Sequence, residues 1–194
     1  MGMLCVLSRV TEDEMAALRE DSAAAGQLLH EPFPVPPPRP GFLARLFGAA
    51  PPAPPIAQAR RPWIGAERQY DLDKRWHVVH YLLTGREQGG PFPACFLCDG
   101  GEEVGADTGY GKPRLFTSAQ AAAIAAHLHG LDEAALLARY DAADMEDRDI
   151  YWQPATAPGE QREDVASLHE TIVDIARFAD EAARGRGGLV VEIY

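Results

Sequence analysis

Cysteine and basic residues are scarce in this chain, and each shortage excludes a class of protein. The 194 residues include only three cysteines, Cys5, Cys95 and Cys98. An odd cysteine count in a chain of this length is not the framework of a disulfide-rich secreted protein. Lysine and arginine number 18 against 29 acidic residues, which gives a formal net charge of −11. Because binding to a phosphate backbone needs clustered positive charge, we expect no nucleic-acid partner.

Long hydrophobic runs are also lacking. No stretch approaches the roughly 20 apolar residues that cross a membrane. The opening Met1–Arg9 has neither the basic region nor the long apolar run of a secretion signal. The hydrophobic fraction of 46% and the charged fraction of 24% are typical of a globular domain. The sequence therefore predicts a cytoplasmic protein with no membrane partner, and no motif in it predicts a cofactor.

Proline is concentrated in residues 31–62, and this concentration sets the segment apart from the rest of the chain. Proline has no amide hydrogen to donate and it interrupts helices, so we expect an extended or disordered insertion. The insertion contains one short apolar run, 42–47. In one interpretation this run forms a helical turn that packs on the domain as part of an elaborated loop. In the other it docks on a partner, and the anchoring side chains would be Phe42, Leu43, Leu46 and Phe47.

Strand and helix patterns outside the insertion predict an α+β fold. Strand patterns lie near both ends of the chain, at Leu4–Val10 and Leu189–Tyr194. Capping boxes, in which a threonine precedes Glu or Gln by three residues, predict helix starts at Thr11 and Thr117. Further helices are predicted over 71–85, 132–140 and 162–184. The sequence therefore predicts a single domain over 1–194, with a small mixed β-sheet packed by several α-helices.

The segment Asp71–Gly85 carries the strongest pattern. Its apolar residues recur at helical spacing, Asp71 is a suitable cap, and Gly85 is suited to a left-handed end. This stretch resembles the signature helix of the YfbM-like family, a bacterial family of domains of unknown function (DUF1877). Three further segments are similar to family motifs: Met1–Met3, Gly109–Arg114 and Met145–Tyr151. The resemblance implies an α+β bacterial domain and leaves its activity open.

Two pairs of residues have the spacing of chemical sites. His77 and His80 are three residues apart on the predicted helix, where two imidazoles can bind a metal or relay a proton. The alternative is that His80 is buried and hydrogen-bonded to backbone, with His77 facing solvent or a loop. Cys95 and Cys98 have the spacing of a redox pair or half a zinc site. A structural zinc needs two further ligands, and the nearest candidates are His77 and His80 on a neighbouring element. The sequence favours buried thiols over this four-ligand alternative and predicts no metal site.

The residues that carry the resemblance supply a candidate binding surface: Asp73, Trp76, His77, His80, Tyr110, Arg114 and Tyr151. Arg114 is expected to pair with a carboxylate near Asp71 or Asp73 as a structural clamp. The dense carboxylates of 141–149 are expected to form a solvated acidic face, which is also a landing site for a basic protein.

Two functions are compatible with these patterns. One is a non-catalytic protein-binding module, such as an immunity protein that neutralises a cognate toxin, with a basic protein as its partner. The alternative is an enzyme of unknown substrate with a polar cleft around His77, His80, Tyr110 and Arg114.

Overall fold

The protein is built on a five-stranded β-sheet whose centre is the C-terminal strand. The computed structural model describes residues 2–21, 28–29 and 64–194. The strands are β1 (Cys5–Val10), β2 (Gln69–Asp73), β3 (Glu102–Glu103), β4 (Arg114–Thr117) and β5 (Gly188–Ile193). Their order in the sheet is β2-β1-β5-β4-β3, and each neighbouring pair is antiparallel. The α+β fold is thus confirmed, with an antiparallel sheet rather than the predicted mixed one.

Burial on both faces explains why β5 is so apolar without being parallel to its neighbours. Leu189 and Val191 belong to the larger hydrophobic core on one face of the sheet. Val190 belongs to a smaller core on the other face. A strand that is covered on both faces has an almost continuous apolar sequence, as strands of parallel sheets do. The apolar sequence of β5 therefore indicates its central position and not its direction.

Six α-helices cover the sheet within the described residues. The two predicted capping boxes are present at Thr11 and Thr117, where each threonine hydroxyl accepts from the backbone amide three residues on. α3 (Ser118–His129) packs against α6 (Pro158–Arg184), the longest helix, which also contacts α4 (Glu133–Leu137) and β1. None of the helices in the described part of the chain is long and apolar enough to cross a membrane. The helices are α1 (Glu12–Glu20), α2 (Trp76–Thr84), α3 (Ser118–His129), α4 (Glu133–Leu137), α5 (Ala142–Asp147) and α6 (Pro158–Arg184).

The helix predicted over 71–85 is shorter than its sequence pattern indicates. Its first residues belong to β2, where Asp71 pairs with Val6 of β1. Asp71 does not cap a helix; its carboxylate accepts from the amide of Asp73, 2.7 Å away, and shapes the turn before α2. Pairing with a distant strand therefore overrides the local helical period at this point. The helix ends as predicted, because Gly85 takes a left-handed conformation with φ of 69°.

Two predictions lie outside the described residues. They are the proline-rich insertion 31–62 and its apolar anchors Phe42, Leu43, Leu46 and Phe47, all of which fall within the 30–63 gap.

Candidate functional site

An open cleft of about 720 Å³ lies between the turn after β2 and the segment after α5. It combines one lysine and two carboxylates with aromatic and aliphatic surface, a mixture that is common in binding sites. The cleft is lined by Lys74, Glu146, Asp149, Ile150, Tyr151, Trp152 and Gln153.

The C-terminus of α5 gives the cleft one of its walls. Asp149 donates its amide hydrogen to the carbonyl of Glu146 at 3.1 Å, and Ile150 donates to the carbonyl of Met145 at 3.0 Å. These two bonds form the Schellman motif, which normally places glycine at its left-handed position. Here Asp149 holds that position with φ of 52°. Because Ile150 and Met145 are both buried in the core, the motif fixes the backbone from which Tyr151 and Trp152 extend.

His77 connects α2 to the cleft wall. Its Nδ1 accepts the backbone N–H of Tyr151 at 2.9 Å, and its Nε2 lies 3.0 Å from the carbonyl of Glu87. An acceptor at Nδ1 and a carbonyl at Nε2 require the neutral tautomer with its hydrogen on Nε2. Burial lowers the pKa of His77 below its usual 6.5, and the ring stacks on Trp76 at 4.6 Å. The sequence predicts that His77 faces either solvent or a loop. In the structure its ring faces the loop at Glu87 and the segment at Tyr151.

The charges of the cleft are only partly compensated. The ammonium group of Lys74 lies 6.0 Å from the centroid of the Tyr151 ring, which is within range of a cation–π interaction. The carboxylates of Glu146 and Asp149 form neither an ion pair nor a hydrogen bond with any described residue. The cleft therefore offers two unpaired negative charges beside aromatic surface.

His80 belongs to the core and not to the cleft. It is 0% exposed, and neither ring nitrogen makes a hydrogen bond of good geometry among the described residues. Burial lowers the pKa of His80 to about 4, with smaller contributions from His77 and Arg114, while the Gly89 backbone opposes the shift. His80 is thus buried, as one interpretation of the sequence has it, but without the firm backbone hydrogen bond expected there. It is a neutral, poorly satisfied imidazole.

Arg114 is half-buried and does not line the cleft. It lies on β4 opposite Val191, and its guanidinium donates to the carbonyl of Leu97. It makes no ion pair with Asp71 or Asp73, so the predicted clamp is wrong. Its side chain instead contacts the 91–98 segment, through the bond to Leu97.

The three thiols are not activated. Burial raises the pKa of Cys5, of Cys95 and of Cys98, the last to about 12. Neutral thiols are poor nucleophiles and poor metal ligands. No group of three or more His, Cys, Asp or Glu side chains in the described residues is arranged to hold a metal ion.

The predicted site residues therefore separate into different places. Tyr151 lines the cleft, and behind it His77 bonds to the Tyr151 backbone and stacks on Trp76. Asp73 immediately precedes Lys74, the lysine of the cleft. Tyr110 is 47% exposed on the loop between β3 and β4, where Thr108 anchors the chain to the end of β5.

Of the seven residues that line the cleft, sequence reasoning identified only Tyr151 as a site residue and missed the other six. Glu146 and Asp149 lie in the acidic stretch that was expected to be a solvated face, and Lys74 adjoins the signature helix. Trp152 directly follows the Met145–Tyr151 segment, so that motif is the signal in the sequence for this wall of the cleft.

Comparisons with known proteins agree with this architecture. No curated protein matches the chain significantly. The structure is similar to the crystal structure of YfbM from Escherichia coli, described as a protein of unknown function. The TM-score is 0.65 and the identity 15%, over 98% of this chain and 99% of that one. At this identity the likeness shows a shared fold. The model of a family described as a domain of unknown function, DUF1877, matches residues 1–191. The chain therefore belongs to the DUF1877 family.

Proposed function

We propose that the protein is a non-catalytic module that binds a basic protein partner at this cleft, as an immunity protein does when it neutralises a cognate toxin. The observation that carries the proposal is that two carboxylates, Glu146 and Asp149, lie beside Tyr151 and Trp152 in an open cleft without an ion pair or hydrogen bond to the residues that the structure describes.

A lysine or arginine side chain of the partner fits the chemistry of the cleft. The carboxylates of Glu146 and Asp149 would accept its hydrogen bonds, and the aromatic rings would contact its charged head. Lys74 already lies over Tyr151. An incoming cation therefore has to displace Lys74 or use Trp152, and we expect Lys74→Ala to strengthen binding of a basic partner.

The charge of the whole protein supports the same kind of partner. A net charge of −11 attracts positively charged proteins and speeds their encounter. Long-range attraction is general, whereas the cleft supplies a defined place for contact. Together they account for both the rate and the specificity that neutralisation of one partner requires.

The arrangement of the polar residues favours binding over the alternative enzyme. Both ring nitrogens of His77 are engaged by backbone groups. His80 is buried with a low pKa, and Arg114 donates to Leu97. Tyr110 lies on a separate exposed loop. His77, His80 and Arg114 are therefore buried or engaged by backbone groups, and they are not presented together with Tyr110 on an open surface where a substrate could react.

The proposal is tested by affinity capture from the native host with three forms of the protein. The first is the wild type, and the second carries Glu146→Lys and Asp149→Lys in the cleft. The third is a matched control with Glu163→Lys and Glu170→Lys, two exposed positions on α6 that make the same change in net charge. Bound proteins are identified and quantified by mass spectrometry.

We expect the wild type and the control to retain the same basic protein in about equal molar amount, and the cleft variant to lose it. Retention of that protein by the cleft variant would place the contact elsewhere. Recovery of no stoichiometric partner by the wild type would remove the proposal altogether.

A further inference from the structure

We infer that His77 is a positioning residue whose neutral form shapes the cleft, and that its protonation releases Tyr151 and makes the cleft sensitive to acid. The effect on partner binding rests on the proposed function. The structural effect on Tyr151 does not.

The geometry assigns this role because His77 joins three separate parts of the chain. Its own helix, α2, holds it in the core, where the residue is 8% exposed. Its two ring nitrogens bond to the backbone of Tyr151, which lines the cleft, and of Glu87, in the loop after α2. Each nitrogen has one partner, so these two contacts fix the tautomer of the neutral ring, with its hydrogen on Nε2.

Protonation breaks one of the two bonds. In the neutral ring, Nδ1 accepts the amide hydrogen of Tyr151; in the imidazolium, both nitrogens are donors. The Nδ1–H of the charged ring would then face the N–H of Tyr151, and the two donors repel one another. The bond from Nε2 to the carbonyl of Glu87 survives and becomes charge-assisted. Protonation therefore removes only the hydrogen bond between His77 and Tyr151.

The expected movement is local. Ile150, one residue earlier, stays anchored by its amide bond to Met145 and by burial. The displaced part is Tyr151 and the residues that follow it in the cleft lining, Trp152 and Gln153. Since these residues provide the aromatic surface, the cleft would lose the side on which a cation rests.

The charged groups around His77 determine the pH at which its ring becomes protonated. Glu87 faces the ring from the following loop and favours its charged form, whereas burial opposes that form more strongly. His80 lies on the same helix and is electrostatically coupled to His77. From the cleft side, Lys74 lies over the Tyr151 ring. Arg148 at the end of α5 is coupled to Glu87. The result is a pKa below 6.5, so the cleft is intact at neutral pH and changes on acidification.

The structural part is tested by nuclear magnetic resonance on the wild type labelled with ¹⁵N. The imidazole nitrogens of His77 report its tautomer and its titration, and the amide of Tyr151 reports the bond. We expect the hydrogen on Nε2 at neutral pH, and we expect the Tyr151 amide to move with the same midpoint as the His77 ring. A Tyr151 amide that stays unchanged while His77 titrates would overturn the inference.

A conservative variant separates positioning from general packing. In His77→Asn the side-chain oxygen can accept from Tyr151 at any pH, so its Tyr151 amide should not respond to acid in the range where the wild type does. In the binding arm, the captured partner should bind the wild type about tenfold more weakly once His77 is protonated, while His77→Asn keeps its affinity. Equal acid loss in both forms would also overturn the inference. If the Tyr151 amide follows the titration of His77 but no binding partner is recovered, that result contradicts the proposed function only.

Discussion

Replacement of His80 by leucine should make the protein more stable, and the gain should grow as the pH falls. His80 is fully buried, and within the described part of the chain neither of its ring nitrogens makes a well-formed hydrogen bond. Leucine has a similar volume and no polar atom to desolvate. Because a buried polar group without a partner costs about 1–3 kcal/mol, His80→Leu should raise the free energy of unfolding at neutral pH by about 1 kcal/mol.

The pH dependence follows from the pKa of His80. Its folded value of about 4 lies below the ordinary 6.5, so the unfolded chain takes up a proton before the folded one does. The contribution of neutral His80 to the free energy of unfolding is complete above pH 6.5, and it is lost as the pH falls from 6.5 toward 4. The wild type should lose about 2 kcal/mol from this group by about pH 5, and about 3 kcal/mol below pH 4. His80→Leu should not show this part of the loss.

The assay is urea unfolding followed by circular dichroism at a series of pH values, with the free energy of unfolding compared between wild type and variant. The curves should diverge below about pH 6.5. The reasoning would be refuted if His80→Leu were destabilised at neutral pH and followed the wild-type pH dependence in parallel. That result would mean that the imidazole makes a structural hydrogen bond, for which the Gly89 backbone is the candidate acceptor.

Three further predictions concern single positions. Asp149→Gly should raise the free energy of unfolding in urea by about 0.5–1 kcal/mol, because glycine takes the left-handed conformation without strain; if the proposed function holds, it should also weaken partner binding. Tyr140→Phe should lower stability in thermal melts by about 1–3 kcal/mol, since the buried hydroxyl donates to Asp164 at 2.8 Å and also accepts a backbone amide; an unchanged melting temperature would contradict this. Gly188→Ala should lower the free energy of unfolding by about 1–3 kcal/mol or more, because a Cβ there would lie 2.5 Å from the carbonyl oxygen of Phe116. A variant that unfolds at the wild-type urea midpoint would show that the strands separate easily.

Local signals in the sequence predicted much of the helical structure. The capping boxes at Thr11 and Thr117 and the left-handed stop at Gly85 involve residues only a few positions apart, so their geometry can be inferred without the fold. The last helix is longer than predicted because Pro158 supplies a favourable first-turn residue.

Non-local pairing explains what the sequence could not predict. β2 forms because Gln69–Asp73 meets β1, more than sixty residues earlier in the chain, and no local pattern reveals that partner. The short helix α5 was missed because its acidic residues were interpreted as a solvated face. The cleft depends on both: the turn after β2 contributes Lys74, and the end of α5 contributes Asp149. The cleft therefore results from the tertiary arrangement of these two segments, and the spacing of motifs in the sequence does not predict it.

The binding claim is tested most directly by calorimetric titration of the purified partner into two forms of the protein. One is the wild type, and the other has both cleft carboxylates neutralised, by Glu146→Gln and Asp149→Asn. We predict that neutralisation weakens binding by about tenfold or more at low ionic strength, and that the difference narrows as salt screens the charges. Equal affinities for the two forms at every salt concentration would contradict the assignment of the cleft as the binding surface.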